Sequence, residues 1–205
     1  MREFLKTKFL LLSLLSTYSL GCFTAIEYLP EERDYIPGVD LGYTQYATPS
    51  LFFSNQYILT FDDGPHLEIT PKILDILKEY QVKAQFFIVS SRLNKRTKPI
   101  MIRAIKDGHI IGSHHHTHDR NNDASKEVFK QKLKTSITAI KDLYQASGTP
   151  LKYMYYRFPY AEYGNPKGYH HMNIIKEVSK ELFNENCIHF VFWDHDSSDW
   201  MTQLS

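Results

Sequence analysis

The chain has 205 residues, of which 42% are hydrophobic and 14% aromatic, which is enough for one domain with a sizeable core. Its 24 Lys and Arg residues nearly balance its 23 Asp and Glu residues, so the composition lacks the basic footprint that nucleic-acid binding requires. A nearly neutral, aromatic-rich chain suits a neutral partner such as a sugar, whose apolar ring faces stack on aromatic side chains.

The first 22 residues have the pattern of an export signal. Basic residues precede an apolar stretch at positions 9–20, which is too short to span a membrane but fits the core of a signal peptide. The stretch ends in Leu20-Gly21-Cys22, which resembles a bacterial lipoprotein cleavage box and predicts acylation of Cys22. Ordinary signal cleavage near the same place is the alternative. Both interpretations predict an exported protein of the cell envelope, lipid-anchored if Cys22 is acylated and otherwise periplasmic or secreted.

Cys22 and Cys187 are the two cysteines of the sequence. If Cys22 is acylated, Cys187 has no disulfide partner. If Cys22 is not acylated, a disulfide between Cys22 and Cys187 is the other possibility. In both cases a zinc site built on cysteines is excluded, so a metal site must use histidine and carboxylate ligands.

A change of pattern near residue 55 predicts an extended arm followed by one domain. Residues 23–54 contain Pro30, Pro37 and Pro49 and show no sustained periodicity, which predicts an arm or tether. Strand and helix patterns then alternate over residues 55–205. The predicted elements are a strand at 57–61, a helix capped by Thr70, a strand at 82–89, a helix at 99–106, a strand at 109–112, a helix at 125–145, a strand at 153–157, a helix at 172–183 and a strand at 188–193.

This alternation predicts an α/β domain with a mostly parallel sheet, built either as an open sheet or as a (β/α) barrel. Each of the polar clusters described next follows a predicted strand. In both architectures the carboxyl edge of the strands is where functional sites are built.

The first cluster is the adjacent pair Asp62-Asp63, which ends the first strand just before a Gly64-Pro65 turn. Neighbouring carboxylates repel each other. The usual reasons to place them together are to bind a cation, or to use one acid as a base and the other as a ligand.

The second cluster has four histidines in the five residues 114–118. His114 and His118 are four apart and face the same way if the segment turns helically, so they are the favoured pair to bind one metal ion. His116 and His118 would share a face only in a strand, and we rank that pair lower. With one carboxylate from the first cluster, the pair gives an Asp-His-His set that leaves a fourth position for water.

The third and fourth clusters are ambiguous when taken alone. Arg157 follows a predicted strand, where it can orient a neighbouring carboxylate or serve only as a surface residue. Polar residues at 194–199 end the last predicted strand, and Trp200 follows them as an aromatic wall.

Together, the four clusters resemble the ordered motifs of the polysaccharide deacetylases of carbohydrate esterase family 4, the NodB-homology or chitooligosaccharide deacetylase group. The matching segments are Thr60-Phe61-Asp62-Asp63-Gly64-Pro65, His114-His115-His116-Thr117-His118, Arg157-Phe158-Pro159-Tyr160 and Asp196-Ser197-Ser198-Asp199-Trp200. Since they occur in the family's order over residues 57–200, the resemblance is specific.

The resemblance implies a distorted (β/α) barrel of the NodB-homology type and a role for each matching residue. The implied roles are Asp62 as general base, Asp63, His114 and His118 as metal ligands, Arg157 as the residue that orients Asp62, the Tyr160 amide as oxyanion donor, Asp199 as the residue that tunes a general-acid histidine, and Pro159, Tyr160 and Trp200 as substrate-binding residues. The implied metal is Zn²⁺, although an Asp-His-His set also accepts Co²⁺ or Ni²⁺. His115 and His116 are not expected to be ligands.

The resemblance does not extend to the family's fifth motif, a Leu-x-His pair that follows Asp-Trp and supplies the general acid. This sequence ends at Ser205, and the closing strand and helix of the barrel have no counterpart in it. We therefore expect a C-terminally incomplete domain at 55–205. His195 is a lower-ranked substitute for the acid.

The leading functional hypothesis is a metal-dependent hydrolase that removes N-acetyl groups from an N-acetylglucosamine-containing polysaccharide: a chitin-like polymer, peptidoglycan or a biofilm glycan. A non-catalytic glycan-binding envelope lipoprotein, or an inactive truncated deacetylase, is the first alternative. A hydrolase of acetyl esters on carbohydrate is the second. All of these predict a glycan partner, no nucleic acid, and membrane contact only through a lipid anchor.

Overall fold

The computed structural model describes residues 58–164, 170–184, 188–191, 196–199 and 201. The predicted signal segment at 1–22 with Cys22, and the arm at 23–54, lie outside these residues. So do Cys187, His195 and Trp200.

Strands and helices alternate through the described residues, as the sequence predicts. The strands are β1 (Leu59–Gly64), β2 (Ala84–Ile88), β3 (Ile110–Ser113), β4 (Met154–Tyr156) and β5 (Ile188–Phe190), and the helices are α1 (Ile69–Glu79), α2 (Lys98–Lys106), α3 (Lys126–Ser147) and α4 (His170–Phe183). Short 3₁₀ turns lie at Ser90–Arg92 and Pro159–Ala161. Within this part of the chain, no helix combines the length and the apolar character needed to cross a membrane.

The sheet has its strands in chain order, β1-β2-β3-β4-β5, and all neighbouring pairs are parallel. Parallel crossovers are almost always right-handed, so an order that never reverses places the connecting helices on one face. Phe86, Ile111 and Tyr156 from that face belong to the same hydrophobic core as the buried residues of the helices. This is the winding of a (β/α) barrel and not of a doubly wound sheet, which confirms the predicted α/β class.

Helix α3 supplies much of this core. Ser125 caps its first turn by accepting a hydrogen bond from the Val128 amide, and Gly148 ends it in a left-handed conformation with φ of 73°. Between the caps, apolar side chains at helical spacing are fully buried: Phe129, Leu133, Ile137 and Ile140. Burial of each contributes roughly 1.5–3 kcal/mol. The predicted helix is confirmed and extends two residues beyond its predicted end.

The predicted cap of α1 is wrong. The helix begins at Ile69, so Thr70 lies inside the first turn, where its hydroxyl accepts a hydrogen bond from the His66 amide (2.8 Å). His66 Nδ1 instead accepts the amides of Glu68 and Ile69, each at 3.2 Å. An imidazole therefore satisfies amide groups that a helix start otherwise leaves without partners.

Candidate metal and catalytic site

The strands of the sheet end at one common edge. In the strand pairing, the last residues of the strands align with one another: Gly64 with Ile88, Ile88 with Ser113, Ser113 with Tyr156, and Tyr156 with Phe190. His114 and Arg157 directly follow β3 and β4, and Asp63 lies one residue before the end of β1. The first three predicted clusters therefore meet at the carboxyl edge of the sheet, as a parallel sheet requires.

Strand β1 has a bulge at its two aspartates. The register with β2 shifts between Phe61 and Gly64, and Asp63 has a positive φ of 65°. Neighbouring side chains of a regular strand point to opposite faces, and a bulge re-aims one of them. Both carboxylates consequently lie near one imidazole: His114 Nε2 is 3.9 Å from Asp62 Oδ2 and 3.5 Å from Asp63 Oδ1.

Asp63, His114 and His118 form a three-residue cluster whose ligand atoms all lie within 4.8 Å of one another. Asp63 Oδ1 is 3.1 Å from His118 Nε2 and 3.5 Å from His114 Nε2. Two ligand atoms about 2.0–2.1 Å from a tetrahedral zinc ion are about 3.3 Å apart, so these separations fit such a site. Asp63 Oδ1 is also buried without a hydrogen-bond partner within the described structure. An orphaned carboxylate oxygen between two imidazole nitrogens is the electrostatic arrangement that a cation satisfies.

Hydrogen bonds at the far side of each imidazole orient the pair. His114 Nδ1 donates to the Arg157 carbonyl (2.8 Å), which leaves the Nε2 lone pair directed at Asp63. Burial lowers the pKa of His114, against the opposing effect of Asp62, and the neutral imidazole is the form that binds metal. His118 Nδ1 lies 3.1 Å from the Tyr160 hydroxyl. Such outer partners fix the tautomer and ring orientation of metal-binding histidines.

The second aspartate is held by a buried arginine. Arg157 Nη1 donates to Asp62 Oδ1 (2.8 Å) and to Thr60 Oγ1 (2.9 Å), and Nε donates to the Val191 carbonyl (3.1 Å). The guanidinium lies 4.1 Å from the centre of the Phe87 ring. Burial lowers the pKa of Arg157, and Asp62 opposes that shift; an arginine remains charged under either influence. One oxygen of Asp62 is thus fixed, and the other, Oδ2, faces the metal cluster.

The loop that carries the histidines is not helical, so our conformational reason for choosing His114 and His118 was wrong. Residues 114–118 contain no helix, and His115 has a positive φ of 68°. The His114 amide still bonds to the Ile88 carbonyl (2.8 Å), which continues the pairing beyond β3. The chain then bends, and the bend brings His118 back towards His114.

The other two histidines of the loop have different partners. His116 Nδ1 lies 2.9 Å from Ser90 Oγ. His115 is fully buried, stacks on Phe129 with ring centres 4.8 Å apart, and has Nδ1 3.0 Å from the Tyr156 hydroxyl. Burial lowers the pKa of His115 to about 3. That neither residue is a ligand stays a prediction, and the core position of His115 was not predicted.

Tyr160 and Pro159 lie in the 3₁₀ turn that follows β4. Tyr160 and Ala161 have positive φ values of 56° and 55°, and the Ala161 amide donates to the Phe158 carbonyl (3.1 Å). The oxyanion role of the Tyr160 amide stays a prediction. Pro159 is buried at the start of the turn, and its substrate role stays a prediction.

Asp199 is exposed, and one of its carboxylate oxygens accepts a hydrogen bond from Ser197 Oγ (2.7 Å). Its tuning of a general-acid histidine stays a prediction. Trp200 and Cys22 lie outside the described residues, so their predicted roles do too.

We did not predict a site role for Arg92, whose Nη1 donates to the Asp63 carbonyl and supports the bulge. Nor did we predict that Thr60 and Phe87 contact Arg157. Arg92 lies in the turn after β2, at the same edge as the other clusters, and that position was the available signal.

Comparison with known proteins places this geometry in a family. A family model for polysaccharide deacetylase matches residues 54–174. The chain is 32% identical over 155 residues to the peptidoglycan-N-acetylglucosamine deacetylase of Bacillus cereus, which covers 76% of this chain and 50% of that protein. It is also 32% identical over 152 residues to a chitooligosaccharide deacetylase of Rhizobium leguminosarum bv. phaseoli, which covers 74% of this chain and 57% of that protein.

A solved structure agrees with this similarity. The peptidoglycan deacetylase PdaC from Bacillus subtilis superposes with a TM-score of 0.53 at 28% sequence identity, over 73% of this chain and 64% of that one. The chain spans about half the length of the two curated relatives named here.

Proposed function

The chain belongs to the polysaccharide deacetylase family, and from that premise we propose that it is a metal-dependent hydrolase that removes acetyl groups from N-acetylglucosamine-containing polysaccharide. The observation that carries this proposal is the convergence of Asp63, His114 and His118 beside Asp62. Arg157 holds one carboxylate oxygen of Asp62, Oδ1. We also propose that the segment at 1–22 directs the protein to the cell envelope, with Cys22 as a lipid anchor.

The names of the relatives support the substrate class. One relative is a deacetylase of peptidoglycan N-acetylglucosamine, and the other is a chitooligosaccharide deacetylase. Both substrates contain N-acetylglucosamine units. The acetamide on such a unit is the group that we assign to this site.

The residues of the site divide the reaction between them. A bound zinc ion, or cobalt or nickel in its place, would polarise the acetamide carbonyl and lower the pKa of a water molecule. Asp62 Oδ2 accepts the proton of the attacking water, while Arg157 holds Oδ1 and keeps the carboxylate in place. The Tyr160 amide donates to the carbonyl oxygen as that atom gains negative charge, a contribution of roughly 10²–10³ in rate.

The reaction ends with cleavage of the carbon–nitrogen bond. Acetate forms from the acetyl group and the water, and the sugar amine leaves with a proton. Among the residues that the structure describes, we assign none to the protonation of this amine.

The direct experiment is release of acetate from N-acetylglucosamine oligomers by the full chain. Metal is first removed with a chelator and then restored as Zn²⁺, Co²⁺ or Ni²⁺. We expect release only after a metal is restored. A folded, metal-loaded chain that binds the oligomer without releasing acetate would favour the glycan-binding alternative, and release from acetylated xylan alone would favour the ester hydrolase.

A further inference from the structure

The residues of the site that are not on β1 lie in two loops. Hydrogen bonds connect these two loops to each other. We define the histidine loop as residues 114–122, after β3, and the tyrosine loop as residues 157–164, after β4. His114 Nδ1 bonds to the Arg157 carbonyl at one end of the contact (2.8 Å), and the Gly164 amide bonds to Asn122 Oδ1 at the other (3.2 Å). The relative position of the loops therefore decides the shape of the site.

Glu162 of the tyrosine loop is the main link between these ends. Only 9% of the residue is exposed. Its Oε1 accepts from Arg120 Nη1 (2.7 Å), and its Oε2 accepts from the amides of Asn121 (2.7 Å) and Asn122 (3.2 Å). Hydrogen bonds to an ionised acceptor are roughly twice as strong as neutral ones. One buried carboxylate thus binds three donors of the histidine loop.

The contacts of Arg120 extend this link to the metal cluster. Its guanidinium carbon lies 4.6 Å from the centre of the Tyr160 ring. The Tyr160 ring is in turn 4.5 Å from the His118 ring, and its hydroxyl is 3.1 Å from His118 Nδ1. A continuous chain of contacts therefore runs from Glu162 through Arg120 and Tyr160 to His118.

His118 needs such support more than His114 does. The His114 side chain is 4% exposed and directly follows a strand of the sheet, whereas the His118 side chain is 25% exposed and lies in an irregular loop. The sheet therefore fixes one imidazole of the cluster but not the other. On the side away from Asp63, the second imidazole contacts Tyr160 of the tyrosine loop.

We propose that Glu162 is a positioning residue that holds the His118 imidazole in its metal-binding orientation, by fixing Arg120 against Tyr160 and by binding the backbone at 121–122. The inference rests on the proposed function in one respect, which is that it takes His118 as a metal ligand. Glu162 itself lies outside the three-residue metal cluster.

The test uses cobalt binding to the full chain, followed by the visible absorption of the bound ion. Glu162→Gln keeps an oxygen for the two backbone amides but removes the charge that faces Arg120. We expect the dissociation constant for Co²⁺ to rise about tenfold, at the lower end of the 10–100-fold range for outer partners of metal ligands. The matched control is Glu181→Gln, which alters a carboxylate that pairs with Lys130 and Lys134 away from the site and should leave the constant unchanged.

Two further readouts separate positioning from a general loss of stability. Tyr144→Phe removes a buried hydroxyl that accepts the Ile111 amide (3.1 Å), so it weakens the fold elsewhere and should not change cobalt affinity. A double-mutant cycle with Tyr160→Phe should be non-additive, because Glu162 acts through Tyr160. In the metal-free protein, Glu162→Gln should also speed hydrogen exchange at the amides of Asn121 and Asn122.

Equal cobalt affinity in Glu162→Gln and the unsubstituted chain would overturn this inference alone. Additive effects of the Glu162 and Tyr160 substitutions would overturn it too. An unsubstituted chain that binds no cobalt would contradict the proposed function as well, so the two failures are distinguishable.

Discussion

His114 and His115 are neighbours in the chain, yet their side chains lie in two different environments. His114 Nε2 faces the carboxylates of Asp62 and Asp63 at 3.9 and 3.5 Å. His115 lies in the core, stacked on Phe129, whose ring also stacks on His171 with centres 4.0 Å apart. One imidazole is placed among lone pairs that attract a cation, and the other among aromatic rings. Residue type and spacing therefore do not identify a ligand, whereas the groups that face it do.

Loss of the general base should have the largest effect, which is on turnover. This effect should be confined to the surroundings of His114, which form the metal and catalytic site. Asp62→Asn should lower turnover by about 10²–10⁴, the usual contribution of a positioned base, with metal content unchanged because Asp62 is outside the three-residue cluster. Acetate release and metal content are measured on the same sample. Asp75→Asn, at an exposed aspartate that pairs with Arg103, is the control and should change neither. If Asp62→Asn lost its metal instead, the two carboxylates would have been assigned in reverse.

The next largest effect is on metal affinity, and it distinguishes His114 from His116 within the histidine loop. His114→Ala removes one of three proposed protein ligands, so metal affinity should fall by more than the 10–100-fold range typical of outer partners. His116→Ala removes only a contact with Ser90 and should leave affinity nearly intact. Isothermal titration with Zn²⁺ measures both constants. Equal losses in the two variants would remove the distinction between the histidines.

A substitution in the aromatic core around His115 should change the stability of the fold. His115→Ala deletes a buried ring and leaves the Tyr156 hydroxyl without its partner, so the free energy of unfolding should fall by about 2–4 kcal/mol. Tyr156→Phe removes the same hydrogen bond but keeps the ring, and should cost about 1 kcal/mol. Urea unfolding of the metal-free variants measures both. Metal loss at unchanged stability in His115→Ala would place this residue in the site and not in the core.

The smallest effect concerns His109, which is buried just before β3 and whose Nδ1 accepts the Ala84 amide (3.2 Å). Burial lowers the pKa of His109 below its ordinary 6.5, with a smaller contribution from Lys83. The unfolded chain therefore gains a proton at a higher pH than the folded chain, so stability is full above about pH 6.5 and declines as the pH falls. His109→Gln keeps an acceptor and should reduce this decline between pH 7 and 5 in urea unfolding. Burial also lowers the pKa values of His114, His115 and His189, so these residues would account for what remains. An unchanged slope would contradict the assignment to His109.

The parts of the fold that could be predicted are those fixed by local pattern. Helix α3 has a cap, an apolar stripe and a terminal glycine in sequence. Each strand is a short, largely apolar run, and four of the five are followed by one of the polar clusters. Because parallel strands end at one edge, these clusters could be expected to meet. We expected one of the two carboxylates to join His114 and His118, and the resemblance assigned Asp63 to that role; these three residues do converge.

The parts that could not be predicted depend on contacts between distant segments. The bulge at Asp63 arises from the register of β1 against β2 and from Arg92, 29 residues away. Glu162 contacts Asn121 across 41 residues, and nothing in the local sequence indicates this pairing. For the same reason we could not predict the irregular conformation of residues 114–118, for which we had considered a helical turn as the condition that lets His114 and His118 face the same way.

The most direct test of the account is X-ray absorption at the zinc edge of the full chain loaded with one equivalent of zinc. We expect two imidazole ligands at about 2.0–2.1 Å with oxygen ligands in the remaining positions, and loss of one imidazole in His118→Ala but not in His116→Ala. A spectrum with three imidazoles, or one unchanged by His118→Ala, would contradict the assignment of Asp63, His114 and His118 as the metal site.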